Sequence, residues 1–73
     1  ELRSSTDSIE ELRNKMQEYI ENGVRLAWLI DPQTQTVEIY RQNGDREILQ
    51  SPTNLQGEDI LPNLVLDLSR IFA

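Results

Sequence analysis

The sequence contains no cysteine and no histidine, and these two absences exclude several kinds of functional site. Without cysteine, the chain forms no disulfide bond and offers no thiolate to a metal ion. Without histidine, it lacks the commonest zinc ligand and the commonest general base. The usual structural zinc sites and catalysis by a histidine base are therefore ruled out.

Long apolar runs are also missing. No stretch of the sequence approaches the ~20 consecutive apolar residues that cross a bilayer. There is no signal-peptide pattern either. We therefore expect no membrane partner and a cytoplasmic location.

Basic residues are scarce, and lysine occurs once, at Lys15. Thirteen acidic and seven basic residues give a net charge of −6. Domains that bind nucleic acid through bulk charge usually carry a basic stripe, so this balance argues against that mode of binding. It leaves room for a local basic groove.

The chain has 73 residues, enough for one small domain. A domain of this size buries only about 60% of its unfolded surface, and such domains often depend on oligomerisation or on a larger parent fold. The chain opens on Glu1 rather than methionine, and its first residues resemble the end of a strand. We expect the body of that strand upstream of residue 1, and a homo-oligomer formed through the sheet edge that its loss would expose.

A single amphipathic helix is predicted at residues 8–22. Ser8 and Glu11 have the spacing of a capping box, and Asp7 is a competing cap. Apolar residues then recur at intervals of three and four, which defines one buried stripe. Gly23 stands where a left-handed residue ends a helix.

Three strands are predicted after the helix, at residues 24–31, 36–41 and 46–50. The alternation in the second strand places Val37 and Ile39 on one face and Glu38 and Tyr40 on the other. Asn43-Gly44 is a strong hairpin signal, so the strands should form an antiparallel meander. A C-terminal tail, 55–73, follows, with a helical turn at 68–72. The predicted fold class is α+β: one helix packed on a three-stranded meander, with a further strand ending near residues 1–3 parallel to the first.

The order of these motifs resembles the C-terminal half of the Uma-type family, bacterial restriction endonuclease-like domains of unknown function in the PD-(D/E)XK nuclease superfamily. The resemblance covers nearly the whole chain. The residues that carry it are Glu1-Leu2-Arg3-Ser4, Lys15-Met16-Gln17-Glu18-Tyr19, Gly23-Val24, Trp28-Leu29-Ile30-Asp31-Pro32, Val37-Glu38-Ile39-Tyr40-Arg41 and Gly57-Glu58-Asp59-Ile60-Leu61-Pro62.

The resemblance implies a metal-dependent nuclease site. In the superfamily, carboxylates on neighbouring strands bind Mg²⁺ or Mn²⁺, and a lysine assists the water that attacks phosphorus. Glu1 matches the second carboxylate and would be the metal ligand, while the first carboxylate would lie upstream. The lysine position of the motif is occupied by Arg3, which stays protonated and cannot act as a base. The lysine role would then pass to Lys15 on the helix, which makes Glu1 and Lys15 the candidate catalytic residues.

Each candidate also has an ordinary structural interpretation. Lys15 has the spacing for helix ion pairs with Glu11 and Glu18. Trp28 and Tyr40 fit packing in strands better than base stacking. The pair at 58–59 is typical of a solvated loop, and Asp31-Pro32 is typical of a turn.

Two functions therefore compete at this point. The first is a Mg²⁺-dependent DNA endonuclease whose 73 residues are inactive alone because half of the site lies elsewhere; no bound cofactor is then expected for this chain by itself. The second is a non-catalytic, self-associating α+β interaction module. A third interpretation is that the chain is a remnant of a longer protein.

Overall fold

The computed structural model describes residues 1–72, and one helix and five strands account for half of them. The elements, in chain order, are α1 (Ile9–Glu21), β1 (Leu26–Asp31), β2 (Thr36–Arg41), β3 (Arg46–Gln50), β4 (Asn54–Gln56) and β5 (Val65–Asp67). Within this part of the chain, no helix is long and apolar enough to cross a membrane.

Helix α1 begins and ends where its capping residues predict. The Ser8 hydroxyl accepts a hydrogen bond from the backbone N–H of Glu11 at 3.4 Å. At the other end, the Gly23 N–H donates to the Ile20 carbonyl, and the Val24 N–H donates to the Tyr19 carbonyl. This pair of bonds is a Schellman motif, and it requires the positive φ of 95° found at Gly23. The predicted helix is confirmed to within one residue at each end.

Strands β1, β2 and β3 form the predicted antiparallel sheet in that spatial order. Trp28 lies opposite Ile39, and Val37 lies opposite Leu49. β1 begins at Leu26, two residues later than predicted, because the Val24 N–H is already used to close the helix. The meander is confirmed, and it places β2 in the centre.

The sheet has a hydrophobic core on each face. Leu12 and Met16 of α1 pack against Leu29 and Tyr40 on one face. The opposite face carries the second cluster, which extends into the C-terminal part of the chain and contains Ile30, Val37, Ile39, Leu55 and Leu68. The strand alternation predicted for β2 is therefore confirmed.

The C-terminal tail is a third layer of the fold. β4 and β5 pair antiparallel as a small separate sheet, with Leu55 opposite Leu66. A turn follows, in which the Ile71 and Phe72 N–H groups both donate to the Leu68 carbonyl at 3.0 Å. This agrees with the predicted turn over 68–72. The β4–β5 pairing has only three residues a side, too short for the sequence pattern to have predicted.

Candidate active site

The candidate site begins with the first three residues, which pair with the end of β1 through one parallel bridge. The Ile30 N–H donates to the Glu1 carbonyl at 2.8 Å, and the Arg3 N–H donates to the Ile30 carbonyl at 2.9 Å. Leu2 and Ile30 form the corresponding parallel bridge. The parallel pairing predicted beside β1 is present at this bridge, and it fixes the backbone that carries the Glu1 side chain.

The structure brings the two predicted site residues together. The Lys15 Nζ lies 2.7 Å from Oε1 of Glu1, although fourteen positions separate them in sequence. Lys15 projects from the flank of α1 that faces residues 1–3, and its ammonium lies 6.0 Å from the centre of the Tyr19 ring. Within residues 1–72, Glu1 is the ion-pair partner of Lys15, so the alternative of helix ion pairs with Glu11 and Glu18 is wrong.

The hydrogen bond between the two groups keeps both of them charged. It is the main cause that raises the pKa of Lys15 and lowers the pKa of Glu1. At neutral pH Lys15 is therefore an ammonium, a donor that can stabilise negative charge but cannot accept a proton. Glu1 is a carboxylate, which is the form that binds a cation.

Arg3, which stands where the superfamily motif has lysine, has a structural role. Its Nη1 donates to Oδ2 of Asp31 at 2.8 Å, and its Nε donates to the Asp7 carbonyl at 3.2 Å. Asp31 is buried and also accepts a hydrogen bond from the backbone N–H of Gln33. Burial alone would raise the pKa of Asp31, but the bonds from Arg3 and Gln33 outweigh it and lower that pKa. Arg3 thus fastens the residues next to Glu1 to the end of β1.

Sequence reasoning missed this pair, although it interpreted Asp31 correctly as a turn residue. The residues next to Asp31 indicate only a turn. Its partner Arg3 is 28 positions away, so no local pattern predicts the pair. Glu58 is an exposed turn residue, as the sequence indicated, but its ion pair was not predicted. The Glu58 carboxylate binds the Arg41 guanidinium, with Nη2 at 2.6 Å and Nε at 2.9 Å. Trp28 and Tyr40 pack in the sheet as predicted.

A divalent metal does not fit the described residues on their own. Glu1 is one carboxylate, and Asp31 is committed to Arg3. Across residues 1–72 there is no group of three or more acidic, histidine or cysteine side chains that could hold a metal ion. A complete metal site would need further ligands beside Glu1.

A comparison with protein-family models matches residues 1–69 to the Uma2 model, described as "Putative restriction endonuclease". The chain belongs to the Uma2 family. A search of curated proteins finds no match. Among solved structures, the chain is similar to a protein from Anabaena variabilis ATCC 29413 whose structure is titled a putative nuclease belonging to DUF820.

The similarity to the Anabaena protein extends over almost all of this chain. The two structures superpose with a TM-score of 0.81 at 26% sequence identity, and the match covers 99% of this chain. It covers only 41% of the Anabaena chain. The α+β fold predicted from the sequence pattern is confirmed, and this chain spans less than half of the Anabaena chain.

Proposed function

We propose that this Uma2 protein acts in the hydrolysis of DNA phosphodiester bonds, with Glu1 and Lys15 in its active site. The contact that supports the proposal is the 2.7 Å pair between them. A carboxylate and an ammonium at that distance supply one ligand for Mg²⁺ or Mn²⁺ and one donor for phosphate oxygens. The family membership indicates the class of reaction, and the pair provides two groups that this reaction needs.

The Lys15 ammonium acts as an electrostatic group in this proposal. Its hydrogen bond to Glu1 raises its pKa, so it does not take a proton from water near neutral pH. It donates instead to the non-bridging phosphate oxygens, whose negative charge grows as water attacks phosphorus. Arg3 holds the Glu1 backbone in place through Asp31.

A bound metal would supply an activated water and would neutralise phosphate charge. Glu1 would contribute one of its oxygen ligands. Since residues 1–72 lack a complete ligand set, we expect the chain alone to be inactive and to bind Mn²⁺ weakly.

The test is a chimera in which this chain replaces the matching part of the Anabaena protein. We expect the chimera to nick plasmid DNA with Mn²⁺ and to stop when EDTA is added. Lys15→Ala should lower the rate by about 100-fold, the usual cost of losing one preorganised donor. Lys15→Arg should retain part of the activity, because it keeps the charge.

Arg25→Ala is the matched control, since it removes an exposed cation and should leave the rate unchanged. Failure of both the folded chimera and the Anabaena protein to cut DNA would overturn the nuclease assignment. Cleavage by the chimera that survives Lys15→Ala would overturn the role of Lys15.

A second candidate function, self-association, is favoured by the open edge of β1. Residues 1–3 cover only the Trp28–Ile30 end of that strand. Beside the uncovered end lies a groove of about 310 Å³, lined mainly by apolar side chains. Val24 and Leu61 in its wall are 38% and 54% exposed. A second copy of the chain is the occupant in this alternative.

Light scattering at micromolar concentration tests this alternative. It predicts a dimer that Leu61→Asp converts to a monomer. Ile48→Asp serves as the control, because Ile48 is equally exposed on β3, at the opposite edge of the sheet. A wild-type chain that stays monomeric would exclude this function.

A further inference from the structure

A partly buried ionic network lies on the flank of α1 opposite Lys15. The Arg13 guanidinium donates to Oε2 of Glu38 through Nε at 3.0 Å and Nη2 at 2.7 Å. The Tyr40 hydroxyl donates to Oε1 of the same carboxylate at 2.6 Å. Glu38 is only 3% exposed, in the middle of the central strand.

Stability by itself gives little reason for this network. A buried ion pair can often be replaced by apolar residues of similar volume without loss of stability, because removing the charges from water is costly. An apolar contact, however, does not fix the angle between the two elements that it joins. A guanidinium that donates through two nitrogens to one carboxylate fixes the angle as well as the distance between its two elements.

The fixed angle matters for the candidate site because Arg13 and Lys15 lie on the same helix. Arg13 and Lys15 are two residues apart, about 200° around the helix axis, so they lie on opposite flanks. Between them, Leu12 and Met16 form the apolar seam that packs on the sheet. Apolar packing alone tolerates small rotations of a helix, whereas the Arg13–Glu38 bonds do not.

A small rotation would be enough to separate the site residues. A group ~6 Å from the helix axis moves by about 2 Å when the helix turns by about 20°. A displacement of that size breaks the 2.7 Å bond between Lys15 and Glu1 in the present lysine rotamer, so the side chain has to leave that rotamer to reach Glu1 again.

We propose that Arg13, Glu38 and Tyr40 are positioning residues: they fix the rotation of α1 on the sheet and so hold the Lys15 ammonium at Glu1. The consequence for catalysis rests on the proposed nuclease function. The positional claim does not, because it concerns a contact that can be measured without DNA.

Lys15 is the only lysine, so protein labelled with ¹⁵N-lysine gives a single side-chain NMR signal. The Nζ shift is measured at pH 6, where Lys15 is an ammonium and Glu1 is a carboxylate, in the wild type and in Glu1→Gln. The difference between the two shifts is the Glu1 step, which reports the contact between the two side chains. Asp7 also faces Lys15, but it is present in both proteins, so its effect cancels.

The decisive variant is Arg13→Met/Glu38→Leu/Tyr40→Phe, which replaces the network by apolar groups and leaves no polar atom buried without a partner. We expect it to fold and to lose at least half of the Glu1 step. The control is Arg41→Met/Glu58→Leu, which removes an ion pair that does not involve α1 and should leave the step unchanged.

An unchanged step in the folded network variant would overturn the proposal, whether or not the protein cuts DNA. If that variant does not fold, Glu38→Gln decides, since it keeps the size of the side chain and weakens the bonds from Arg13. A step that is as large in Glu38→Gln as in the wild type would also overturn it. In the chimera, the network variant should lower kcat more than it raises KM, because it displaces Lys15 rather than a substrate-binding group.

Discussion

Replacing Leu68 by alanine should lower the free energy of unfolding by about 3 kcal/mol, within the range for a buried leucine. Leu68 has no solvent exposure and packs in the cluster formed by the sheet and the tail. A domain of 73 residues has a total stability of roughly 4–11 kcal/mol, so this loss is a large share of it. Urea unfolding measures the change through the fluorescence of Trp28, which packs against the same cluster.

Leu64→Ala is the matched control for this prediction. Leu64 lies in the same tail but is 42% exposed, so we expect a loss below about 1 kcal/mol. Equal, small effects of the two substitutions would show that the tail does not belong to the cooperative unit. A large effect confined to Leu68 would establish the tail as a layer of the fold.

Replacing Arg13 by alanine should cost about 3 kcal/mol at pH 7, the lower end for breaking a buried ion pair, because Arg13 is itself partly exposed. The loss leaves the Glu38 carboxylate buried with only the Tyr40 hydroxyl as a strong donor. The cost should also depend on pH, and its sign follows from the pKa of Glu38.

In the wild type, burial alone would raise the pKa of Glu38, but the bonds from Arg13 and Tyr40 together lower it. This contribution to stability is therefore present above the unfolded pKa of about 4.3 and is lost as the pH falls through the folded value. Without Arg13, we expect burial, the largest of these effects, to prevail and to place the folded pKa of Glu38 above the unfolded one. The variant then loses stability as Glu38 ionises, so its deficit relative to wild type should be greatest at pH 7 and shrink toward pH 4.

Urea unfolding at pH 7 and pH 4 measures this difference. Arg25→Ala is the control, because it also removes one positive charge but from an exposed position. It should show almost no deficit in stability at either pH. A deficit for Arg13→Ala that is the same at both pH values would contradict the assignment of the cost to the buried Glu38 charge.

Much of the local structure could be predicted because its causes lie within a few residues. Ser8 and Gly23 predicted both ends of α1, and Asn43-Gly44 predicted the turn between β2 and β3. The alternation in β2 predicted which side chains share a face. The pattern of the first residues predicted the pairing of residues 1–3 with β1, and the resemblance of the motifs named Glu1 and Lys15 as site residues.

The ion-pair partners could not be predicted in the same way. For Lys15, the local rule favoured Glu11 and Glu18, which are neighbours on any isolated helix. The folded chain instead offers Glu1, held by hydrogen bonds to β1. The burial of Glu38 was equally hidden, because an alternating strand normally turns its charged residues to solvent.

The sequence by itself determined helix α1, the β1–β3 meander, the family and the two residues of the candidate site. Capping, turns and alternation act over short stretches of chain, so each leaves a local pattern. The tertiary structure alone decided that Lys15 pairs with Glu1, that Arg3 pairs with Asp31, and that Arg13 reaches a carboxylate buried under α1. Residues this far apart in sequence become partners because the helix and residues 1–3 pack against one sheet. No local sequence pattern predicts that packing.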